Sequence, residues 1–295
     1  MKLTKASSLI LVLLAYITAL VLSFMMQEFP LLPGNPGEVF MMDLAATVVI
    51  FLFSMLFNNS SIYDPYWSVV PPLILYYWFT GLGYPLPLPL VLLFAVVLLW
   101  SLRLTSNWVR DWNGMGHEDW RYVEFRERFG PWYWLASFGG IHLFPTLIVF
   151  LGLIPVWIAI QHTGDNLTIY QFTGLAVAIA GTLLELISDE QLRKFRRMKM
   201  KGETIRSGLW KYSRHPNYLG EILFWTGLWI FGISSTDNYW WTIIAPLSMA
   251  AMFIFVSAPW MERKIIKNRP SYLEYRQEVP LLIPVRMGRN HKKKK

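Results

Sequence analysis

The sequence predicts an all-α, polytopic integral membrane protein with about eight transmembrane helices. Of its 295 residues, 54% are hydrophobic and only 16% are charged, and the mean hydropathy is +0.36. This composition is too apolar for a soluble domain of the same length. The lysines and arginines are also confined to four segments that long apolar stretches separate. We therefore expect a single membrane domain over residues 1–295, with the bilayer as the solvent for most of it.

Eight apolar segments are candidate membrane helices, because a helix needs about 17–25 apolar residues to cross the hydrocarbon core. They lie at 8–26, 38–57, 67–82, 87–103, 142–161, 167–187, 217–234 and 240–260. The first is too long for a signal-peptide core, and no small-residue cleavage site follows it. The third contains Pro71 and Pro72, so neighbouring helices must satisfy its interrupted backbone.

The positions of the basic residues predict the orientation. All 27 lysines and arginines lie within 2–5, 103–128, 193–214 and 263–295. Eight crossings place these four segments on one face of the membrane, as the positive-inside rule requires of short loops. Both termini are therefore predicted to be cytoplasmic. Basic loops between apolar spans suit anionic headgroups and an anionic cofactor rather than nucleic acid, and no obligate protein partner is indicated.

Several kinds of site are excluded by the residues that the sequence lacks. There is no cysteine, so disulfides, iron–sulfur clusters and cysteine nucleophiles are excluded. The five histidines form no HxxxH or HxxHH cluster, which argues against a di-iron desaturase or a metalloprotease, and no metal site is predicted. Without a GxGxxG or Walker-type loop, any nucleotide must be bound by another kind of fold.

The most specific local pattern covers residues 212–221, Tyr-Ser-Arg-His-Pro-Asn-Tyr-Leu-Gly-Glu, where a basic loop enters an apolar span. Arg214, the histidine after it and the N-terminus of the following helix are a candidate anion site. Asn217 and Glu221 are four residues apart, so they share one helix face, and polar groups inside a span usually line a cavity. For Arg214 or Tyr218 alone, an interfacial anchor is the simpler interpretation.

A second pattern continues the sixth span, where Glu185, Asp189, Arg193 and Arg196 form one stripe of a helix. Such a stripe can present carboxylates to hydroxyl groups and guanidinium groups to phosphates. The alternative, which the spacing supports equally, is a set of ion pairs on a solvated face.

A third pattern begins the third span with Asp64-Pro65-Tyr66-Trp67-Ser68. Asp64 is a candidate proton donor, because burial raises the pKa of a carboxyl group toward the range that acid catalysis needs. An Asx-turn at Asp64 and an aromatic belt at Tyr66 and Trp67 are the simpler interpretations.

Together these segments resemble the steroid 5-alpha reductase family, especially its bacterial branch. The residues that carry the resemblance are Asp64 to Ser68, Ser188-Asp189 with Arg193 and Arg196, the 212–221 segment, and Tyr272-Leu273-Glu274-Tyr275-Arg276 followed by Ile283-Pro284. The resemblance implies an NADPH-dependent enzyme of a bacterial inner membrane. It would reduce a conjugated carbon–carbon double bond in a lipid-soluble, steroid-like or isoprenoid-like carbonyl compound that enters from the lipid.

The resemblance also implies a role for individual residues. The cofactor would be bound by Arg103, Asp189, Arg193, Arg196, Tyr212, Arg214, His215, Asn217, Tyr218 and Glu221. The proton donor inside the cavity would be Asp64, Tyr66 or Trp67. Residues 1–140 would then form the substrate side, and residues 141–295 the cofactor-binding half.

Two alternatives remain open. The Arg-His-Pro-x-Tyr pattern and the Glu-Tyr-Arg tail also resemble isoprenylcysteine carboxyl methyltransferases, which bind S-adenosylmethionine. The stripe of Asp189, Arg193 and Arg196 and the longer eight-helix chain favour a dinucleotide instead. A non-catalytic lipid-binding or transport protein is the other alternative, but the sequence has no repeated halves that would support it.

Overall fold

The computed structural model describes residues 3–25, 35–82, 85–198, 202–233 and 237–283, and these ranges contain no β-strand. The α-helices, in chain order, are α1 (Lys5–Met25), α2 (Pro36–Leu56), α3 (Tyr66–Thr80), α4 (Leu88–Asp111), α5 (Trp120–Phe129), α6 (Tyr133–Ser137), α7 (Phe144–His162), α8 (Ile169–Arg197), α9 (Pro216–Ile233), α10 (Ile244–Ala251), α11 (Ala258–Asn268) and α12 (Tyr272–Glu278). The predicted Ile283-Pro284 signal is only half described, since residue 284 lies outside these ranges.

The predicted all-α membrane class is confirmed. Six helical stretches of the described chain are long and apolar enough to cross a membrane: Lys5–Met25, Pro36–Leu56, Leu88–Asp111, Trp120–His162, Ile169–Arg197 and Tyr239–Asn268. The two remaining predicted spans are also helical, as α3 and α9, but α3 has only 15 residues and α9 is not among the six. The count of eight crossings stays a prediction.

Helices α8 and α9 pack so closely that their backbones touch. A Cβ atom added to Gly174 of α8 would lie 2.6 Å from the backbone nitrogen of Phe231 in α9. One added to Gly181 would lie 2.5 Å from the carbonyl oxygen of Gly220. Only glycine allows this approach, which brings the polar residues at one end of both helices into contact.

Two apolar clusters form the interior. The larger one joins α3, α4, α7, α8 and α9, and the smaller one joins α1, α2, the start of α3 and the loop before α5. At the centre of the larger cluster the fully buried ring of Trp100 stacks on Phe224, with centroids 4.5 Å apart. Trp67 packs against both clusters, so the start of α3 lies where they meet.

Two π-helical segments connect consecutive α-helices: Phe138–Leu143 lies between α6 and α7, and Met252–Ser257 lies between α10 and α11. A π-helical turn inserts an extra residue into an α-helix and is frequent at functional sites. Residues of both segments line the cavity described below.

Candidate active site

A cavity of about 790 Å³ is lined by residues from both halves of the chain, between Tyr63 and Met261. Nine of the residues that the sequence assigned to a site contribute to its wall: Asp64, Trp67, Arg103, Asp189, Arg193, Arg196, Asn217, Tyr218 and Glu221. They come from the start of α3 and from α4, α8 and α9, so the fold brings three separate sequence patterns together.

Arg103 of α4 holds the charged part of the wall together. Its guanidinium group is buried and pairs with Glu185, and its Nη1 atom lies 2.6 Å from Oδ2 of Asp189. The Nδ2 atom of Asn107 donates to Asp189 at 2.8 Å, and its Oδ1 atom accepts from Arg193 at 2.8 Å. Three residues of the α8 stripe, Glu185, Asp189 and Arg193, are thus bound to α4, whereas Arg196 is exposed.

Glu221 is also buried in this group and is 3% exposed. Its carboxylate accepts hydrogen bonds from the indole nitrogens of Trp100, at 3.2 Å, and Trp225, at 3.0 Å. An oxygen of Glu221 also lies 3.6 Å from Nη2 of Arg103. The carboxylates of Glu185, Asp189 and Glu221 therefore share one guanidinium group at the cavity wall.

Some polar atoms of the wall have no hydrogen-bond partner in the described chain. They include Oε1 of Glu185, Oδ1 of Asn217 and the indole nitrogen of Trp108, and all three atoms are buried. Buried polar atoms are nearly always paired in native proteins, because an unpaired one costs about 1–3 kcal/mol. A polar ligand in the cavity would supply the missing partners.

Asp64 occupies another part of the wall, at the junction of the two apolar clusters. It accepts a hydrogen bond from the hydroxyl group of Tyr122, and Nη2 of Arg121 lies 3.8 Å away. Burial raises the pKa of Asp64 to about 7, because the loss of hydration outweighs the opposite effect of the Arg121 charge. Asp64 can therefore hold a proton near neutral pH.

Four predicted site residues do not line the cavity. The Tyr66 hydroxyl group donates instead to Oδ1 of Asp43 in α2, at 2.7 Å, and Tyr212 is 58% exposed. Arg214 and His215 both bind Glu262 of α11, at 3.0 and 3.1 Å. The anion beside this helix N-terminus is thus a carboxylate of the chain itself, because α11 brings one there.

Sequence reasoning missed several polar residues of the region. Asn107 and Tyr122 line the cavity, and Glu262 and Asp43 bind residues that the patterns had singled out. Asp43 had a usable signal, since an acidic residue inside an apolar span is rare unless it has a partner. The partners of the others come from distant segments, which only the tertiary structure identifies.

Comparison with known proteins places the chain in one family. Residues 50–279 match the family described as a protein of unknown function, DUF1295, and this stretch includes the whole cavity wall. That family is related to steroid 5-alpha reductase-like membrane proteins. The uncharacterized protein C594.04c of Schizosaccharomyces pombe is 28% identical over 252 residues, which are 77% of this chain and 73% of that protein. No solved structure matches the chain significantly. Because the match covers most of the sequence, this chain belongs to the DUF1295 family.

Proposed function

We propose that this protein is an NADPH-dependent reductase, of the steroid 5-alpha reductase type, that acts on a conjugated carbon–carbon double bond of a lipid-soluble carbonyl compound. One observation carries the proposal. A single cavity combines arginines, unpartnered buried acceptors, an apolar wall and a partly buried carboxyl group, Asp64, whose pKa is raised to about 7.

The arginines suit the phosphates of a dinucleotide. Arg193, Arg196 and Arg197 line the cavity where α8 ends, on the face that the charge distribution predicts to be cytoplasmic. Guanidinium groups bind phosphate oxygens through paired, charge-assisted hydrogen bonds. S-adenosylmethionine has no phosphate group, so these three residues favour NADPH over the methyl donor.

The acceptors of the wall suit the donors of such a cofactor. Glu185 and Asn217 each present a buried oxygen atom that has no hydrogen-bond partner in the described chain, and Glu221 and Asp189 lie beside them. Ribose hydroxyl groups and a carboxamide can donate to oxygens of this kind. The residues present therefore fit the cofactor that the resemblance implies.

The remaining wall suits an apolar molecule. Phe144, Ile148, Met252, Phe253 and Val256 line the cavity and come from α7 and the second π-helical segment. None of these side chains is polar, so this part of the cavity can hold the hydrocarbon body of a lipid-soluble substrate.

When bound, NADPH would supply a hydride to the β-carbon of the conjugated system. The task of the chain is to orient both molecules and to manage the proton at the carbonyl oxygen. Asp64 in its acid form can donate a hydrogen bond or a proton to that oxygen. The carboxylate left behind would be stabilised by the hydroxyl group of Tyr122 and by the nearby Arg121 charge.

Cofactor binding tests the proposal directly. The detergent-purified protein is titrated in parallel with NADPH, NADH and S-adenosylmethionine, and thermal unfolding is followed. We expect NADPH to raise the unfolding temperature, because a ligand at 100 times its Kd stabilises the native state by about 2.7 kcal/mol. Stabilisation by S-adenosylmethionine alone would contradict the reductase and favour methyl transfer. No response to any of the three would favour a non-catalytic lipid-binding protein.

A further inference from the structure

Glu262 is a buried carboxylate outside the cavity with an unusually large set of partners. It is 4% exposed and lies in α11. Its oxygens accept from Arg214 at 3.0 Å, from Nε2 of His215 at 3.1 Å and from the Tyr272 hydroxyl group at 3.2 Å, and Nε of Arg276 lies 3.3 Å away. One carboxylate thus joins the start of α9 to α11 and α12.

The chain after α12 strengthens the same junction. The backbone nitrogens of Arg214 and His215 donate to the carbonyl oxygens of Pro280 and Leu281, at 3.0 and 3.2 Å. The Tyr275 hydroxyl group donates to the carbonyl oxygen of Trp210 at 2.5 Å. The backbone before α9 is therefore fixed on two sides, and His215 can keep one orientation.

The ring of His215 connects this junction to the cavity. It stacks on the ring of Tyr218 with centroids 4.8 Å apart and planes 5° from parallel. Tyr218 in turn stacks on Phe253 with centroids 4.6 Å apart. Tyr218 and Phe253 both line the cavity, whereas His215 and Glu262 do not. The three rings form one continuous stack from Glu262 to the cavity wall.

We propose that Glu262 and His215 are positioning residues, which hold Tyr218 against Phe253 and so set the shape of the cavity between α9 and the second π-helical segment. The Arg-His-Pro pattern would then act on the bound molecule through Tyr218 rather than by contact. The effect on cofactor binding rests on the proposed function, whereas the effect on the cavity wall does not.

A spectroscopic probe can separate these two effects. The chain has no cysteine, so Ser257→Cys gives a single attachment site for a nitroxide spin label in the cavity wall, one turn beyond Phe253. The label's mobility is measured in the labelled parent, in His215→Phe, which keeps a ring but loses the bond to Glu262, and in Tyr218→Leu, which breaks the stack. His162→Phe is the matched control, because His162 lies near another tyrosine, Tyr239, away from the cavity.

We expect the label to become more mobile in His215→Phe and in Tyr218→Leu, and to keep the parent spectrum in His162→Phe. The double variant should add little to either single change, because residues that act through one contact are not additive. NADPH affinity should fall about tenfold in each variant with a changed spectrum, a size typical of the loss of one contact. If His215→Phe does not fold, Glu262→Gln should give a smaller change in the same direction.

An unchanged spectrum in the folded His215→Phe variant, or changes that simply add in the double variant, would overturn the positioning role. A purely structural role would lower the unfolding temperature without altering the label's mobility well below that temperature. If the parent protein itself does not respond to NADPH, the proposed function fails, and the spectra still decide whether the stack sets the cavity wall.

Discussion

At the scale of single residues, the site depends on which buried charges have partners. Glu221 is held by two indole donors and lies near Arg103, so its carboxylate is fixed in place before any ligand arrives. Asp64 has a neutral hydroxyl donor and a more distant arginine, and burial therefore dominates its pKa. Two carboxyl groups of one cavity can thus have different roles because their surroundings differ.

Replacing Glu221 tests the first role. Glu221→Gln keeps an acceptor for an indole donor but removes the negative charge beside Arg103, so we expect at least a tenfold loss of NADPH affinity. The free energy of unfolding should fall by only about 1–2 kcal/mol. Thermal shift with and without NADPH measures both. Glu38→Gln is the control, because Glu38 is also buried but does not line the cavity. Equal NADPH affinity in the two variants would remove Glu221 from the site.

The pKa of Asp64 predicts how turnover depends on pH. A group with a pKa of about 7 is protonated below that pH, so a reaction that needs its proton should slow as the pH rises through about 7. Asp64→Asn should reduce turnover about 100-fold or more, with a much smaller effect on NADPH affinity. The exposed Asp165→Asn is the control. Turnover that is unchanged in Asp64→Asn would exclude Asp64 from the mechanism.

The same pKa affects stability. Because the folded pKa is raised from 3.8 to about 7, the folded state holds a proton that the unfolded state releases at a lower pH. This contribution to stability is complete at low pH and is lost as the pH rises through about 7. From about pH 5 to about pH 8, the unfolding temperature of the wild type should therefore fall relative to that of Asp64→Asn. A difference that does not vary with pH would contradict the raised pKa.

At the scale of helices, the α8–α9 contact decides where the charged wall lies. The spacing of Glu185, Asp189, Arg193 and Arg196 predicted a common helix face, and all four residues line the cavity. Whether that face was solvated could not be known from α8 alone. The answer depends on two features: the glycines that allow α9 to pack against α8, and Arg103 of α4, which pairs with Asp189. On a solvated face Asp189 would instead have paired with a basic residue of α8.

The close contact itself can be tested with one methyl group. Gly174→Ala would place a Cβ atom 2.6 Å from a backbone nitrogen of α9, so the two helices must separate. We expect the free energy of unfolding to fall by about 1–3 kcal/mol, as in other overpacked interiors. Gly139→Ala is the matched control, since nothing in the described chain lies within 4 Å of its added Cβ atom. Equal unfolding temperatures for the two variants would contradict a tight backbone contact.

At the scale of the whole molecule, the charge distribution predicts that the basic loops face the cytoplasm. The absence of cysteine allows a direct test by labelling intact cells with a membrane-impermeant thiol reagent. Asn166→Cys, in the exposed loop before α8, should react, and Glu203→Cys, in the exposed loop after α8, should not until the cells are lysed. Labelling of Glu203→Cys in intact cells would reverse the predicted orientation.

Composition and the length of the apolar segments were sufficient to predict the all-α membrane class, because the bilayer imposes a length and an apolar surface on every span. Local spacing was also sufficient to predict that Asn217 and Glu221 share a face, since four residues make about one helical turn. Only the tertiary structure decided which polar groups meet across helices. It directed Arg214 and His215 to Glu262 and Tyr66 to Asp43, because the partner of a buried charge is chosen by the packing of distant segments.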